Sequence, residues 1–218
     1  ASFNRIILAS QSPRRVAILR DAGFRVTPIP SNSSESFDEN LTLKANLKAI
    51  SEKKLKSVLN KLTTEQLKEK LLFSADTVVV AQGLVLGKPK NRADAQRMLR
   101  LLRGKTHSVM TAFSICHPSE SRGKLYIIHT KVVTTRVTFR TVTDIEIERY
   151  IDSGEPFDKA GGYAIQGRAR KFVKGLKGDF LNVVGLPLAD FRNEVRKRGW
   201  KYAANSNRAR ASRRRRKN

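Results

Sequence analysis

Apolar positions along this chain follow two periods, and each change of period marks an element. Arg5-Ile-Ile-Leu-Ala predicts a short strand. It runs into Ser10-Gln-Ser-Pro-Arg-Arg and a helix over about 13–22, whose buried side is Val16, Ile18, Leu19 and Ala22. Ser12 suits the N-cap, Pro13 the first helical position, and Gly23 closes the far end. A second strand is expected from Phe24 to Pro30, then a polar loop from Ser31 to Asn40 carrying Glu35, Asp38 and Glu39. From about Thr42 the helical period returns at Leu43, Leu47, Ile50, Lys54-Leu55, Val58, Leu59 and Leu62. Lys44, Lys48, Lys53, Lys54 and Lys56 fall largely off that stripe, most of them toward water. Thr63-Thr-Glu-Gln66 is spaced to cap a further turn.

The stretch from Phe73 to Lys90 organises the rest. Val78, Val79 and Val80 form the β-branched run of a buried central strand, Gln82-Gly83 is a hairpin signal, and Leu84-Val85-Leu86 returns. Asp76 opens the apolar run, where a buried charge is costly unless it meets a cation or a metal. Gly87-Lys88-Pro89 brings an ammonium back to the same end of the hairpin. A carboxylate and a lysine held there suit phosphate chemistry, and equally form a structural ion pair at a sheet edge.

Beyond the hairpin, Asn91 caps a helix that buries Met98, Leu99 and Leu102 and ends at Gly104. His107 to Cys116 alternates as a strand, and Leu125 to Phe139 is long enough for one bent strand or two, with a loop over Pro118 to Lys124 between them. Thr143-Asp-Ile-Glu146 is a capping box for a helix that Gly154 ends. Asp158 to Gly167 has three glycines and little periodicity, as a ligand-facing loop would. Phe172-Val173 reads as strand, Gly178-Asp179 as a turn, and Pro187 to Arg198 as a final helix. Strands alternating with helices, plus the long β excursion, give an α/β class with a mixed sheet.

Composition narrows the class without identifying a function. A chain of 218 residues buries a full core. The lone cysteine, Cys116, excludes internal disulfides and fits a reducing compartment. No apolar run approaches bilayer length, so a cytoplasmic location without membrane contact is expected. Residues 192–218 hold 12 Lys and Arg against one acid, so they carry +11 of the net +25 and the rest carries +14. Non-specific polyanion affinity at low salt follows from that excess. The run Arg213 to Lys217 could serve nuclear import or a nucleic-acid contact. The segment 200–218 is expected to be a basic, disordered tail behind a domain over 1–199.

At the start of the first helix, Ser10, Ser12, Arg14 and Arg15 converge. Backbone N–H groups and the helix dipole favour phosphate there, and the guanidinium groups add charge-assisted bonds. A well-capped helix with two solvated arginines is the plainer alternative.

Taken together, Leu8-Ala-Ser-Gln-Ser-Pro-Arg-Arg15, Ser74-Ala-Asp-Thr77, Gly87-Lys-Pro89, Arg103-Gly-Lys-Thr-His107, Gly154 to Gly161, Ile165-Gln-Gly167 and Asn182 to Pro187 occur in one order. That order resembles the Maf-like nucleotide pyrophosphatases, from about residue 5 to 198. The resemblance implies an α/β fold related to the inosine triphosphate pyrophosphatases, with a mixed twisted sheet, flanking helices and two lobes around a cleft. It implies hydrolysis of a nucleoside triphosphate to the monophosphate and pyrophosphate, with Mg²⁺ or Mn²⁺, by a homodimer. Carried over, Asp76 is the catalytic carboxylate and Lys88 neutralises the phosphate chain. Glu35 completes the catalytic set and shares the metal with Asp76. Ser10, Arg14, Arg15 and Lys48 bind substrate, and Gln166 faces the base. Arg14 directly after Ser12-Pro13, and Gln166 where a Glu marks the relatives acting on 7-methyl-GTP, point to the group acting on dTTP and UTP. One departure is the loop before Glu35, which reads Asn32-Ser33-Ser34 where such proteins are usually acidic. Asp38 or Glu39 could then stand in for Glu35. The other function class considered is a nucleic-acid-binding protein on the same scaffold. Against it, aromatic residues are few and not interleaved with the basic runs.

Overall fold

The structure is a computed structural model that describes residues 2–118 and 126–202. In chain order the elements are β1 (Ser2–Phe3), β2 (Arg5–Leu8), α1 (Pro13–Asp21), β3 (Arg25–Pro28), α2 (Leu43–Leu59), α3 (Thr64–Leu67), β4 (Lys70–Ala81) and β5 (Leu84–Leu86). Then come α4 (Arg92–Leu102), β6 (Thr106–Pro118), β7 (Tyr126–Phe139), α5 (Asp144–Asp152), β8 (Val173–Lys177), α6 (Phe180–Val184), α7 (Leu188–Lys197) and β9 (Lys201–Tyr202). Short 3-10 turns cover Glu155–Asp158, Ala160–Gly162 and Arg168–Phe172. The hydrogen-bonded strand order is β3-β2-β4-β6-β7-β8, with β5 on β4 off that path. β2 lies parallel to β3 and β4, whereas β4/β5 and β7/β8 are antiparallel, so the sheet is mixed as expected.

The chain forms two compact units. One holds the residues up to Asp76, Ala112–Val132 and those from Leu188; the other holds Thr77–Thr111 and Val133–Pro187. In the first unit β2 is paired on both edges, and Ile6, Ile7 and Leu8 are all buried, as an internal parallel strand requires. α2 lays Leu55 and Val58 into a core with Ile7, Ala9, Leu67, Leu72 and Cys116. Burial raises the Cys116 thiol to about 11, which leaves it unreactive. Phe191 of α7 meets Phe73 and Phe24 edge-on, at centroid distances of 5.2 and 5.8 Å.

In the second unit the β4–β5 hairpin closes on Gln82 (φ 51) and Gly83 (φ 79). Both sit in the left-handed region, as a two-residue turn matching strand twist demands. Arg92 of α4 bridges Glu148 and Asp152 of α5, and Arg100 and Arg103 share Asp144 at 3.0 and 3.1 Å. The core is aromatic: Phe139 packs edge-on to Tyr163, His107 and Phe172, and Tyr150 meets Phe172. Asn182 is wholly buried and donates to Val109 C=O and Thr135 Oγ1, both at 3.1 Å. The motif Asn182 to Pro187 thus has a packing role of its own.

Most expected elements stand within a residue or two, including the caps at Ser12, Thr63, Asn91 and Thr143; Thr42, where the period was expected to return, proves to be the N-cap of α2. β7 is one strand, not two. The sequence reading missed α6, a five-residue helix capped by Asp179, because so short an element shows no period. It also missed β1 and β9, which pair in parallel, Ser2 with Lys201 and Phe3 with Tyr202. Lys201 and Tyr202 are therefore part of the fold, so the boundary drawn at 199/200 lies too early. Most of the loop expected over Pro118 to Lys124, and the tail after Tyr202, lie outside the described residues. The largest revision is Lys54, expected in water but buried.

His107 supplies a pH prediction. Burial lowers its pKa to about 4, and its Nε2 pairs with Tyr163 Oη at 2.7 Å. In the unfolded chain a histidine titrates near ~6.5, so on acidification the unfolded state binds the proton first. The stability that neutral His107 contributes is complete above ~6.5 and is lost as pH falls toward about 4. In urea titrations across that window, His107→Gln should show a shallower loss than the wild type. An unchanged slope would assign the effect to other groups.

Candidate active site

The site is built where an acidic residue ends up in an apolar strand. β4 is buried without interruption from Leu71 to Asp76, and a carboxylate there needs a partner. Lys54 of α2 supplies it. Its side chain is only 8% exposed, and its Nζ pairs with Asp76 Oδ1 and also with Glu35 Oε1 at 2.6 Å. Glu35 reaches in from the loop and is itself 62% exposed. The loop is anchored by Asn46, a buried residue of α2. Its Nδ2 donates to the Asp38 and Leu41 carbonyls at 2.8 and 3.2 Å, and its Oδ1 accepts from Asp38 N–H at 2.7 Å. Asp38 is occupied in turn with Asn40. Of the three acids in the loop, Glu35 is the one that meets Lys54.

Helix and strand are keyed together beside this cluster. Ser51 lies three residues before Lys54 on one face of α2, and Ser74 two before Asp76 on one face of β4. Ser74 Oγ donates to Ser51 C=O at 2.6 Å, and the two hydroxyls are 3.2 Å apart. Ser114 Oγ joins Ser51 Oγ at 2.8 Å and Thr130 Oγ1 at 2.9 Å, and Thr130 donates to Glu52 at 2.8 Å. Small hydroxyl side chains let α2 approach closely while every buried oxygen finds a bond.

α1 brings the cations. Ser12 Oγ caps it by accepting from Arg15 N–H at 3.5 Å, and Arg15 Nη1 donates to Ser10 Oγ at 3.2 Å. Burial pushes the Arg15 guanidinium below its ordinary value; Asp76 draws it back up, Arg14 lowers it further, and Glu35 raises it. Ser10, Arg14, Arg15, Glu35 and Asp76 thus share the first unit, with Arg15 in the field of Arg14, Glu35 and Asp76. Lys48 is exposed on α2 in the same unit. Lys54, six residues on, is the lysine of that helix that meets Asp76. Lys54 lies at helical spacing between Ile50 and Val58, a position that does not by itself tell a buried lysine from a solvated one.

Lys88 and Gln166 belong to the second unit, and both are exposed. Their segments are tied together. Gly161 N–H donates to Gly87 C=O at 2.9 Å. Gly161 adopts φ 68, and a Cβ there would press on Val79 at 2.9 Å. The glycine-rich segment is therefore packed in part, with a 3-10 turn over Ala160–Gly162 and with Gly161, Gly162 and Tyr163 buried, while Gln166 is exposed.

Asp76 and Glu35 are hard oxygen donors. Among the described residues no group of three or more His, Cys, Asp or Glu is placed to hold a metal ion. Two carboxylates fit what Mg²⁺ takes from a protein when phosphates and water complete its shell, and do not make a closed protein cage.

The model of the Maf-like protein family matches residues 5–198. The chain is 42% identical over 198 residues to the dTTP/UTP pyrophosphatase of Caldicellulosiruptor bescii, covering 91% of this chain and 96% of the relative. It is 42% identical over 192 residues to the Bdellovibrio bacteriovorus dTTP/UTP pyrophosphatase (88% and 97%), and 43% over 186 to that of Moorella thermoacetica (85% and 91%). Among solved structures it is similar to a nucleoside-triphosphatase, dITP/XTP pyrophosphatase, from Mycobacterium abscessus. That match has 11% identity and a TM-score of 0.36 over 62% of this chain and 74% of the other.

The buried pair makes a testable claim about stability. Lys54→Met keeps the length but strands Asp76. The expected loss is about 3 kcal/mol, the low end for a broken buried pair, because Arg15 still faces the carboxylate. The double variant K54M/D76N should lose less than the two single losses added. Urea melts of the four proteins measure this, and strictly additive losses would mean the charges are not coupled.

Proposed function

We propose, since this chain belongs to the Maf-like protein family, that it hydrolyses a nucleoside triphosphate to the monophosphate and pyrophosphate, with dTTP and UTP as its substrates. The observation that carries this reading is the meeting of Asp76, Lys54 and Glu35 in the same unit as the Ser12-capped start of α1. The names of the relatives supply the substrate class.

The chemistry follows from charge. A triphosphate brings about four negative charges, and the departing pyrophosphate gathers more as the anhydride bond breaks, so fixed cations lower the barrier. Arg14, Arg15 and the N-terminal N–H groups of α1 would bind phosphate oxygens, with Ser10 orienting the Arg15 guanidinium through its 3.2 Å bond. Asp76 would orient the attacking water and take its proton. Lys54 would hold that carboxylate in place. Lys88 would neutralise the phosphate chain, and Lys48 would add a more distant charge. Asp76 and Glu35 would hold a divalent cation, which supplies Lewis-acid stabilisation of phosphate charge when bound. Gln166 would face the base, because its amide can both accept from N3–H and donate to a carbonyl of uracil or thymine. 7-Methylguanine, being cationic, favours a carboxylate at that place.

Asp76→Asn keeps the shape and removes the base. With folding verified by circular dichroism, kcat for dTTP should fall at least ~10²-fold. Near-wild-type turnover would remove Asp76 from the mechanism. In a panel of dTTP, UTP, CTP and 7-methyl-GTP assayed by pyrophosphate release, kcat/KM should favour the first two. Preference for the methylated guanine nucleotide would overturn the substrate reading.

A further inference from the structure

The second unit treats its cations in two ways. Along α4 and α5 they meet carboxylates: Arg97 pairs with Asp94 at 2.7 Å, Arg100 and Arg103 share Asp144, and Arg92 bridges Glu148 and Asp152. On the outer face of the sheet they do not. Thr135, Val137 and Phe139 of β7 are buried, so Thr134, Arg136 and Thr138 lie on the opposite face. In the antiparallel pairing of β7 with β8, Arg136 stands directly opposite Lys177, and Thr138 opposite Gly175. Lys174 is the extra residue of a bulge between Gly175 and Val173. Thr138 Oγ1 bonds Thr106 Oγ1 of β6 at 2.8 Å. Arg136, Lys174 and Lys177 are all exposed, and among the described residues none of the three forms a salt bridge. The nearest acid along the chain, Asp179, is taken up as the N-cap of α6, where its Oδ1 accepts from Leu181 N–H at 2.7 Å. A Cβ at Gly175 would meet open space, so no described residue covers the face there.

Like charges directly opposite on paired strands cost stability, so the fold gains nothing from Arg136 across from Lys177. Lysines on an edge strand keep other strands from adding to it, which accounts for Lys174 and Lys177. It does not account for Arg136, because β7 is an internal strand between β6 and β8. We infer that this face is a docking surface for double-stranded RNA, held by its phosphates. Three unpaired cations on one bare face call for a polyanion. The face carries threonines and cations rather than aromatic rings, so it has no platform for the unstacked bases of a single strand. B-form DNA is read by an element that enters a groove, and strand surface does not project into one. The wide, shallow minor groove of an A-form helix accepts a flat surface and presents 2′-hydroxyls to it. The Thr106–Thr138 pair uses one of its two hydroxyl protons, which leaves the other to donate to such a hydroxyl.

The test is the binding of a short, blunt RNA duplex to the full chain, followed by fluorescence anisotropy over a series of salt concentrations. The triple variant R136Q/K174Q/K177Q should bind at least ~10-fold more weakly near ~0.1 M salt, with the slope of log K against log salt reduced by about three. K44Q/K53Q/K56Q removes the same charge from exposed lysines of α2, and its affinity should stay within about threefold of the wild type, since charges beyond a Debye length are screened. Urea melts should find R136Q/K174Q/K177Q at least as stable as the wild type, because the like-charge pair is gone. Should that variant fail to fold, R136Q alone should still lower the slope by about one. Equal weakening by the two triple variants would mean that net charge alone attracts RNA, and would overturn the inference. So would a wild type that does not bind the duplex near ~0.1 M salt, or one that binds duplex DNA or single-stranded RNA of the same sequence as tightly.

Discussion

A carboxylate at the end of a fully buried run of strand cannot stand alone, and the first unit is arranged around meeting that need. Asp76 follows five buried residues of β4, and the cation that answers it comes from the middle of a helix rather than from solvent. For Lys54 to arrive, α2 must lie close to β4 and in the right register. Ser51, Ser74 and Ser114 provide both, being small enough for close approach and polar enough to bond one another. Removing one partner of such a pair costs more than the pair itself contributes, because it leaves a buried charge. The arrangement therefore favours specificity of geometry over net stability. Geometry is also what the proposed role of Asp76 as a general base would require.

The fold was legible wherever a period or a cap was present. Ser12-Pro13, Thr42, Asn91 and the Thr143–Glu146 box each start a helix where the side-chain chemistry says one should start. What escaped was short or depended on distant chain: α6 has five residues, and β1 finds its partner only at Lys201–Tyr202. Two-residue strands carry no alternation to read. On the site side, Asp76 and Arg15 were legible as residue types at telling positions, and Glu35 only through the family resemblance, with Asp38 or Glu39 as its substitutes. Lys54 was not, because a lysine on an apolar stripe is read by composition as a solvated edge. Only the distance to Asp76 shows it is the stripe's polar member.

The glycine-rich segment shows how one signal carries two meanings. Glycines without periodicity suggest a loop open to a ligand, and the segment does carry the exposed Gln166. Yet Gly161 is glycine because Val79 leaves no room for a Cβ, and Gly167 because Glu155 leaves none. These are demands of packing. They explain both glycines without any ligand.

The net charge of +25 has a similar double reading. Among the described residues most lysines and arginines are exposed, where water and salt screen them within about 8–10 Å. Such charge raises encounter rates with any polyanion but does not choose among them. The cations of the proposed site are set apart from it: Lys54 buried against two carboxylates, and Arg15 held by Ser10 and depressed by burial. In that less polar setting each charge acts over a short distance with greater force. Each also has few orientations open to it. In the proposed function, selection of a triphosphate among anions would rest on those few fixed groups, and the exposed basic residues would set how often one arrives.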